Sequence, residues 1–271
     1  MSIDFLIIGG GPAGMAAALQ ASRLNLSTTI IEKDCLGGQA LAAPWIENYL
    51  GFPEGISGRD LMQIFERHII NSSIPVIYEE TIDIERKGHG FIVHTQGVSL
   101  SAKTLLLAVG LTPRLAGLPN EIPYGNPHKI EHEGKDVLVV GSGDSAFDLA
   151  SSFAMEANKV IVAIRGEKPK AIPIIVERAL LRGVHIETNW EPSKIHADII
   201  ISCVGKEMRH PLMEKLKERF GPFEIKPHSV QSIPGLFLAG DLCRGNDRHI
   251  AIAVGDGIAA TQAAKRFLGQ G

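Results

Sequence analysis

Cysteine is scarce in this chain, and the few residues present are scattered. The 271 residues hold three, Cys35, Cys203 and Cys243, with none between Cys35 and Cys203. That spacing gives neither a disulfide framework nor a zinc-ligand cluster, and it fits a reducing cytosol. Long apolar runs are missing too, since none reaches the length that spans a bilayer. The first apolar strand starts at Ile3, which leaves no room for a signal peptide, so a cytoplasmic protein away from membranes is expected. Charge of one sign is not concentrated. Lys and Arg number 27 against 30 Asp and Glu, and the basic residues are dispersed, so no nucleic-acid-binding face is expected. What is plentiful is apolar residues, at 45%, and glycine, at 29 residues. That composition and length suit a packed core in one large or two ordinary domains.

Strands and helices alternate along the chain. Ile3–Ile8 predicts a strand, Gly9–Gly11 a turn and Pro12–Leu24 a helix, with Met15, Ala18, Leu19 and Ser22 at helical spacing. A strand at Ser27–Ile31 ends at Glu32. A loop with Gly37-Gly38-Gln39 and a Pro-, Gly- and aromatic-rich stretch, Pro44–Gly58, lead to a helix at Gly58–Asn71. Residues 75–100 read as short strands with turns at Lys87–Gly90 and Gln96-Gly97, and Lys103–Val109 as a buried strand. Leu111–Pro127, interrupted by Pro113, Pro119 and Pro123, reads as a linker. A second series follows: strand Asp136–Val140, helix Asp144–Ala157, strand Lys159–Ile164, helix Ile174–Arg182 and strands Val184–Glu187 and Asp198–Val204. The tail holds a strand, Ile233–Ala239, and a helix, His249–Leu268. This alternation argues for parallel sheets with crossover helices. Two starts of one kind argue for two such domains.

The two starts carry the chemistry. Gly9-Gly10-Gly11-Pro12-Ala13-Gly14 and Gly141-Ser142-Gly143-Asp144-Ser145-Ala146 each follow an apolar strand and open a helix, the pattern of a dinucleotide pyrophosphate site. A pyrophosphate needs backbone N–H donors and the positive end of a helix dipole. Gly9 allows the sharp turn, Gly11 removes a side chain from the phosphate path, and Gly14 lets helix and strand pack closely. Glu32, at the end of the next strand, would accept both ribose hydroxyls and repel a 2′-phosphate. The equivalent strand of the second series ends near Arg165, with Lys168 and Lys170 behind it, and cations there suit a 2′-phosphate. Plainer readings stand beside these: a tight turn with no nucleotide, and solvated loop charges around Pro169. Asp144 reads as a helix N-cap. His128 and His132 read as exposed loop residues, and Cys203 as a small core residue in an apolar strand.

Nearly the whole chain resembles the low-molecular-weight thioredoxin reductase family of flavoproteins, together with its relatives that lack the redox cysteine pair, the ferredoxin/flavodoxin–NADP reductases of that type. The resemblance is carried by Gly9–Gly14 with Glu32, by Gly37-Gly38-Gln39, and by Glu47-Asn48-Tyr49-Leu50-Gly51-Phe52-Pro53 with Gly55–Gly58. Ala108-Val109-Gly110, Gly141–Ala146 and Ile233–Asp241 complete it. It implies an α/β fold of two Rossmann-like three-layer ββα/βαβ nucleotide-binding domains, a trimmed NAD(P) domain, residues 113–227, inserted in an FAD domain, residues 1–112 and 228–271. It implies FAD at the first turn, NADPH or NADH at the second, and a homodimer. The implied FAD contacts are Gly9, Gly11, Pro12, Ala13, Gly14, Glu32, Lys33, Gly38, Gln39, Asn48, Ala108, Gly110, Gly240, Asp241, His249 and Ile250. Those to the nicotinamide nucleotide are Gly141, Gly143, Asp144, Ser145, Ala146, Arg165 and Lys170. Asn48 would stand near the flavin ring, with Trp45 or Tyr49 beside it, and Asp241 would hold the ribityl chain. His249-Ile250-Ala251 would aim a helix N-terminus at the flavin N1/O2 side, where reduced flavin carries negative charge.

Three departures qualify the resemblance. In the disulfide reductases a Cys-x-x-Cys precedes the second glycine turn; here that place holds Tyr124–Ile130, without cysteine. A phosphate signature of several arginines is reduced to Arg165, Gly166 and Lys170, a less bidentate clamp that leaves NADPH and NADH both open. The second domain also looks trimmed between Ile186 and Asp198. The function implied is an FAD-dependent oxidoreductase passing electrons from NAD(P)H to ferredoxin, flavodoxin or a small-molecule acceptor. Flavin carries that chemistry, so no catalytic side chain is required. Two alternatives remain: a flavoprotein with a degenerate nicotinamide site, reduced by a protein donor or acting as a redox-sensing subunit, and a thioredoxin or disulfide reductase.

Overall fold

A computed structural model of the chain describes residues 2–125, 130–191, 197–208, 210–221 and 233–269. In chain order the elements are β1 (Ile3–Ile8), α1 (Pro12–Arg23), β2 (Thr28–Glu32), α2 (Gly58–Asn71), β3 (Val76–Tyr78), β4 (Thr81–Lys87), β5 (Gly90–Thr95) and β6 (Ser99–Leu107). There follow β7 (Thr112–Pro113), β8 (Ile122–Pro123), β9 (Asp136–Val140), α3 (Asp144–Phe153), β10 (Lys159–Ala163), α4 (Pro173–Leu181), β11 (His185–Glu187) and β12 (Ile199–Ser202). The last are β13 (Lys206–Glu207), α5 (Pro211–Phe220), β14 (Leu236–Leu238) and α6 (Ile250–Leu268). The chain divides into two compact units. The first joins Met1–Ala40, Asp60–Leu111 and Met208–Gly271; the second joins Leu41–Arg59 with Thr112–Glu207.

The first unit is built on a sheet of order β3-β2-β1-β6-β5-β4. Its centre is parallel, with Phe5 opposite Thr28 on one side and Thr104 on the other. β6 shares one edge between two partners. Its first half pairs antiparallel with β5, Phe91 opposite Ala102, and its second half pairs parallel with β14, Leu236 opposite Leu105. β1 is apolar on both faces because both are covered, as parallel strands require. One face packs into a cluster that includes Leu6, Leu105, Leu107, Phe91 and Leu236. α1 and α6 are packed together: Thr261 Oγ1, buried, donates to Ala17 O at 3.1 Å.

The second unit is a parallel sheet of order β11-β10-β9-β12-β8. Val137, Val139, Phe147 and Ile201 lie in the cluster on one face; Leu138, Val140 and Trp190 lie in the cluster on the other. β7 and β13 pair as a short antiparallel ribbon, Lys206 opposite Pro113.

The expected domain limits differ from these units in two places. The segment Leu41–Arg59 belongs to the second unit, where Glu47 takes two hydrogen bonds of 2.9 Å from Arg178 of α4. At the other end the units change at Glu207 and Met208, and the expected limit between 227 and 228 lies outside the described residues. The reason is α5, a helix the sequence pattern does not predict. Pro211 presets its first turn, and the His210 ring accepts from Leu212 N at 3.2 Å. Its Leu212, Met213 and Leu216 are buried in the same cluster as Ile84 and Phe91 of the β4–β5 hairpin. His128 also falls outside the described residues.

Candidate functional site

The first glycine turn sits at the carboxyl edge of β1. Gly9 has φ +105, and a Cβ there would overlap the Ala108 carbonyl, so only glycine takes this bend. A Cβ on Gly14 would overlap Gly9 O. At Gly11 the opposite holds, for nothing lies within 4 Å of the position a Cβ would take. Gly11 is also the N-cap of α1, with Pro12 at its first position, no side-chain cap and no acidic residue in the first turn. The helix therefore presents uncapped N–H groups to an open space, which fits a pyrophosphate.

Other predicted residues gather around this turn. Glu32 Oε2 accepts from Gly10 N at 2.7 Å and Oε1 from Asp34 N at 3.0 Å, which fixes the carboxylate and leaves lone pairs for ribose hydroxyls. Gly37 N donates to Gly10 O at 2.9 Å, and a Cβ on Gly38 would stand 3.3 Å from Gly11 Cα, so this loop lies over the turn. The Gln39 amide nitrogen donates to Leu111 O, and its Oε1 is buried without a partner. A bound group with a donor would satisfy that oxygen, a second point of fit to a cofactor here. Ala108 extends β6 through its N–H to Ile8 O at 2.8 Å, with Gly110 two residues on. Gly240 and Asp241 form a short 3-10 turn, Gly240–Cys243, that follows β14. His249 is the N-cap of α6 through its backbone, Ala253 N donating to its carbonyl at 3.0 Å, while its ring does not cap the helix. Ile250 is the first helical residue. Lys33 is exposed; with burial as the larger cause, its charge lowers the pKa of His210.

In the second unit, Gly141–Gly143 lies at the carboxyl edge of β9. A Cβ on Gly141 would stand 2.5 Å from Cys203 O, and one on Gly143 would meet nothing within 4 Å. The expected capping role of Asp144 is corrected. Gly143 is the N-cap of α3, and Asp144 Oδ1 instead accepts from Ile172 N at 2.9 Å, tying α3 to the residue that opens α4. Ser145, exposed at the next position, hydrogen-bonds the Tyr124 hydroxyl, and Ala146 is core. Arg165 and Lys170 are exposed at either end of a loop whose Lys170 and Ala171 N–H groups both donate to Ser142 O, at 2.7 and 2.9 Å. The loop is thus pinned to the glycine turn. Asn48 is exposed within Leu41–Arg59, and the Trp45 indole packs over Gly55.

The cysteines form no disulfide. Burial pushes the thiols of Cys203 and Cys243 up to about 12. The sequence pattern missed Arg178 and Asp148 of the second unit; only the separation of 131 residues between Glu47 and Arg178, closed by folding, brings the first into play. Among the described residues no cluster of His, Cys, Asp or Glu could hold a metal ion, and no helix is long and apolar enough to cross a membrane.

Comparison with known proteins agrees with this geometry. The family model for pyridine nucleotide-disulphide oxidoreductases matches residues 3–266. The thioredoxin reductase of Treponema pallidum is 27% identical over 298 residues, covering 98% of this chain and 97% of that protein. A protein of Clostridium pasteurianum described as a 34.2 kDa protein in a rubredoxin operon is 28% identical over 309 residues, at 98% and 97% coverage. Among solved structures, Lactococcus lactis thioredoxin reductase superposes with a TM-score of 0.85 at 25% identity, covering 99% of this chain and 100% of that one.

Proposed function

The chain belongs to the pyridine nucleotide-disulphide oxidoreductase family and is an FAD- and NAD(P)H-dependent oxidoreductase, and from that premise we propose that it delivers electrons to an acceptor outside the chain without a dithiol of its own. One observation carries this reading. No cysteine stands between Cys35 and Cys203, and Tyr124 opens the stretch where the resemblance implies a Cys-x-x-Cys. Thiol–disulfide exchange needs a thiolate within reach of a second sulfur. Cys203 and Cys243, held protonated by burial, supply no thiolate near neutral pH.

FAD, when bound, would supply the redox chemistry that couples oxidation of the nicotinamide to reduction of the acceptor. The chain's part is to bind and orient. The first turn and α1 N-terminus would hold the pyrophosphate, Glu32 the adenosine ribose, Gln39 and Asp241 the middle of the cofactor, and the start of α6 the flavin ring. In the second unit Gly141–Gly143 holds the nicotinamide nucleotide. A ferredoxin, a flavodoxin or a small molecule is the acceptor; the operon named for the Clostridium relative favours a small redox protein.

The test is anaerobic. NADPH or NADH bleaches the bound flavin, and turnover with an artificial one-electron acceptor is unchanged in Cys35→Ser and Cys203→Ser. Absence of bleaching with both nucleotides sinks the reading; loss of turnover in either variant revives a thiol route.

Arg165 and Lys170 give a second expectation. Arg165→Ala raises the KM for NADPH about tenfold, the worth of one charge-assisted hydrogen bond, and leaves that for NADH unchanged. Equal effects on both nucleotides would remove Arg165 from 2′-phosphate recognition.

A further inference from the structure

The first unit buries one carboxylate among its described residues. Asp256 is 2% exposed, in the second turn of α6, among glycine, alanine and isoleucine. Among the described residues it is the only charged side chain in the buried class. Left alone, such an ion would be strongly unfavourable. It is instead paired. Arg244 Nε donates to Oδ2 at 2.9 Å and Nη2 donates to Oδ1, so guanidinium and carboxylate meet along two parallel bonds.

Such a pair is a poor device for net stability. Desolvating both ions offsets most of their attraction, and well-packed apolar replacements are often neutral or better. What the pair does do is join two pieces of chain. Arg244 directly follows the Gly240–Cys243 turn, and its N–H donates to Asp241 O at 3.2 Å. Asp256 stands beside Gly257, where a Cβ would overlap Ala13 O. At Gly240 a Cβ would lie 3.1 Å from Ala13 Cβ and 3.9 Å from Ala253 Cβ. The first turn of α1, the Gly240–Cys243 turn and α6 therefore converge on Ala13, and the Arg244–Asp256 pair fastens the last two together.

We propose that Arg244 and Asp256 are positioning residues for the flavin, fixing the Asp241 turn against the first turns of α6 in the arrangement that the bound cofactor requires. The proposal rests on the reading that Asp241, His249 and Ile250 face the flavin. Neither Arg244 nor Asp256 needs to touch the cofactor.

The test uses the full chain with FAD, in Arg244→Lys and in the paired replacement Arg244→Met with Asp256→Leu. Three quantities are read: the thermal midpoint, the FAD dissociation constant from flavin fluorescence, and hydrogen exchange over residues 240–253. Arg244→Lys, which loses one of the two parallel bonds, loosens FAD about tenfold, the size usual for residues that orient a site's ligands. The paired apolar variant keeps the parental midpoint or exceeds it, yet also loosens FAD and speeds exchange in the turn. A pair that only stabilised the fold would spare FAD once that midpoint was restored. Parental FAD affinity and flavin spectrum in the paired variant thus overturn the proposal. Asp241→Ala separates the two levels. If it leaves FAD binding unchanged, the flavin-facing reading of the turn fails and the positioning role falls with it. If it loosens FAD while the paired variant does not, only the positioning role falls.

Discussion

Gly14→Val costs about 3 kcal/mol or more of stability and yields protein without flavin, whereas Gly11→Val loses flavin and keeps its fold. The two glycines are three residues apart in one turn, and their surroundings are opposite. A side chain at position 14 must displace the Gly9 carbonyl, backbone of the turn between β1 and α1, and its Cβ would crowd the Ile7 Cγ2 methyl of β1, 3.3 Å away. Those atoms cannot give way without moving α1 off the sheet. A side chain at position 11 meets no protein atom within 4 Å. Its stability cost is that of exchanging an N-cap glycine for a β-branched residue, about 1 kcal/mol. It fills the space in front of the uncapped N–H groups of α1, so FAD affinity falls on the order of a hundredfold, about 3 kcal/mol. Denaturant unfolding and the ratio of flavin to protein absorbance check both variants. A Gly11→Val protein with parental flavin content would remove the pyrophosphate from this turn.

Asp148→Asn stabilises the protein at pH 8 and does nothing at pH 3.5. Burial pushes the Asp148 carboxyl up to about 6. Arg178 of α4 and Arg182, its C-cap, pull it down without overcoming the effect of burial, and Asp144 and Glu47 push it further up. In the unfolded chain the group titrates near 3.8. Between those values the folded state binds more protons than the unfolded one, so stability falls as pH rises from about 4 to about 6 and stays low above. Asparagine has no such ionisation to carry. At about 1.4 kcal/mol per unit, and discounting for partial exposure, the variant gains about 2 kcal/mol above pH 7. The gain shrinks through the window and is gone below pH 4. Thermal midpoints in a buffer series check it; a gain independent of pH would mean that the charge is not the cause.

Those two positions mark the reach of sequence reading. Gly14 is legible because the turn, its strand and its helix are contiguous and each glycine has a local reason. The same holds for Gly141–Gly143, Glu32 and the parallel strands on either side of them. Asp148 is not legible, since its environment comes from α4 and from Glu47, remote in sequence. The assignment of Leu41–Arg59 to the second unit fails locally for the same reason. Its marker is an arginine–glutamate pair whose partners are 131 positions apart. Asp144 looks like a cap in every local respect, and only the proximity of Ile172 N diverts it. α5 is short and opens on a proline in a charged stretch; its buried Leu212, Met213 and Leu216 acquire a partner only when the β4–β5 hairpin is present. Pattern predicts the frame of each nucleotide turn, and distant contacts decide what surrounds it.

The packing of α6 on α1 carries a consequence for synthesis. Ala17 and Thr261, bonded to one another, are separated by 244 residues, and β14, which completes the parallel edge of β6, also comes late in the chain. Domains emerging from the ribosome fold from the amino end forward, so the first glycine turn is exposed long before its covering helix exists. The second unit, whose described strands from β8 to β12 span residues 122–202, can close on itself in the interval. Flavin capture is then a late event, deferred until the last helix leaves the exit tunnel, and a nascent chain stalled before Ile250 carries a folded second unit and no flavin.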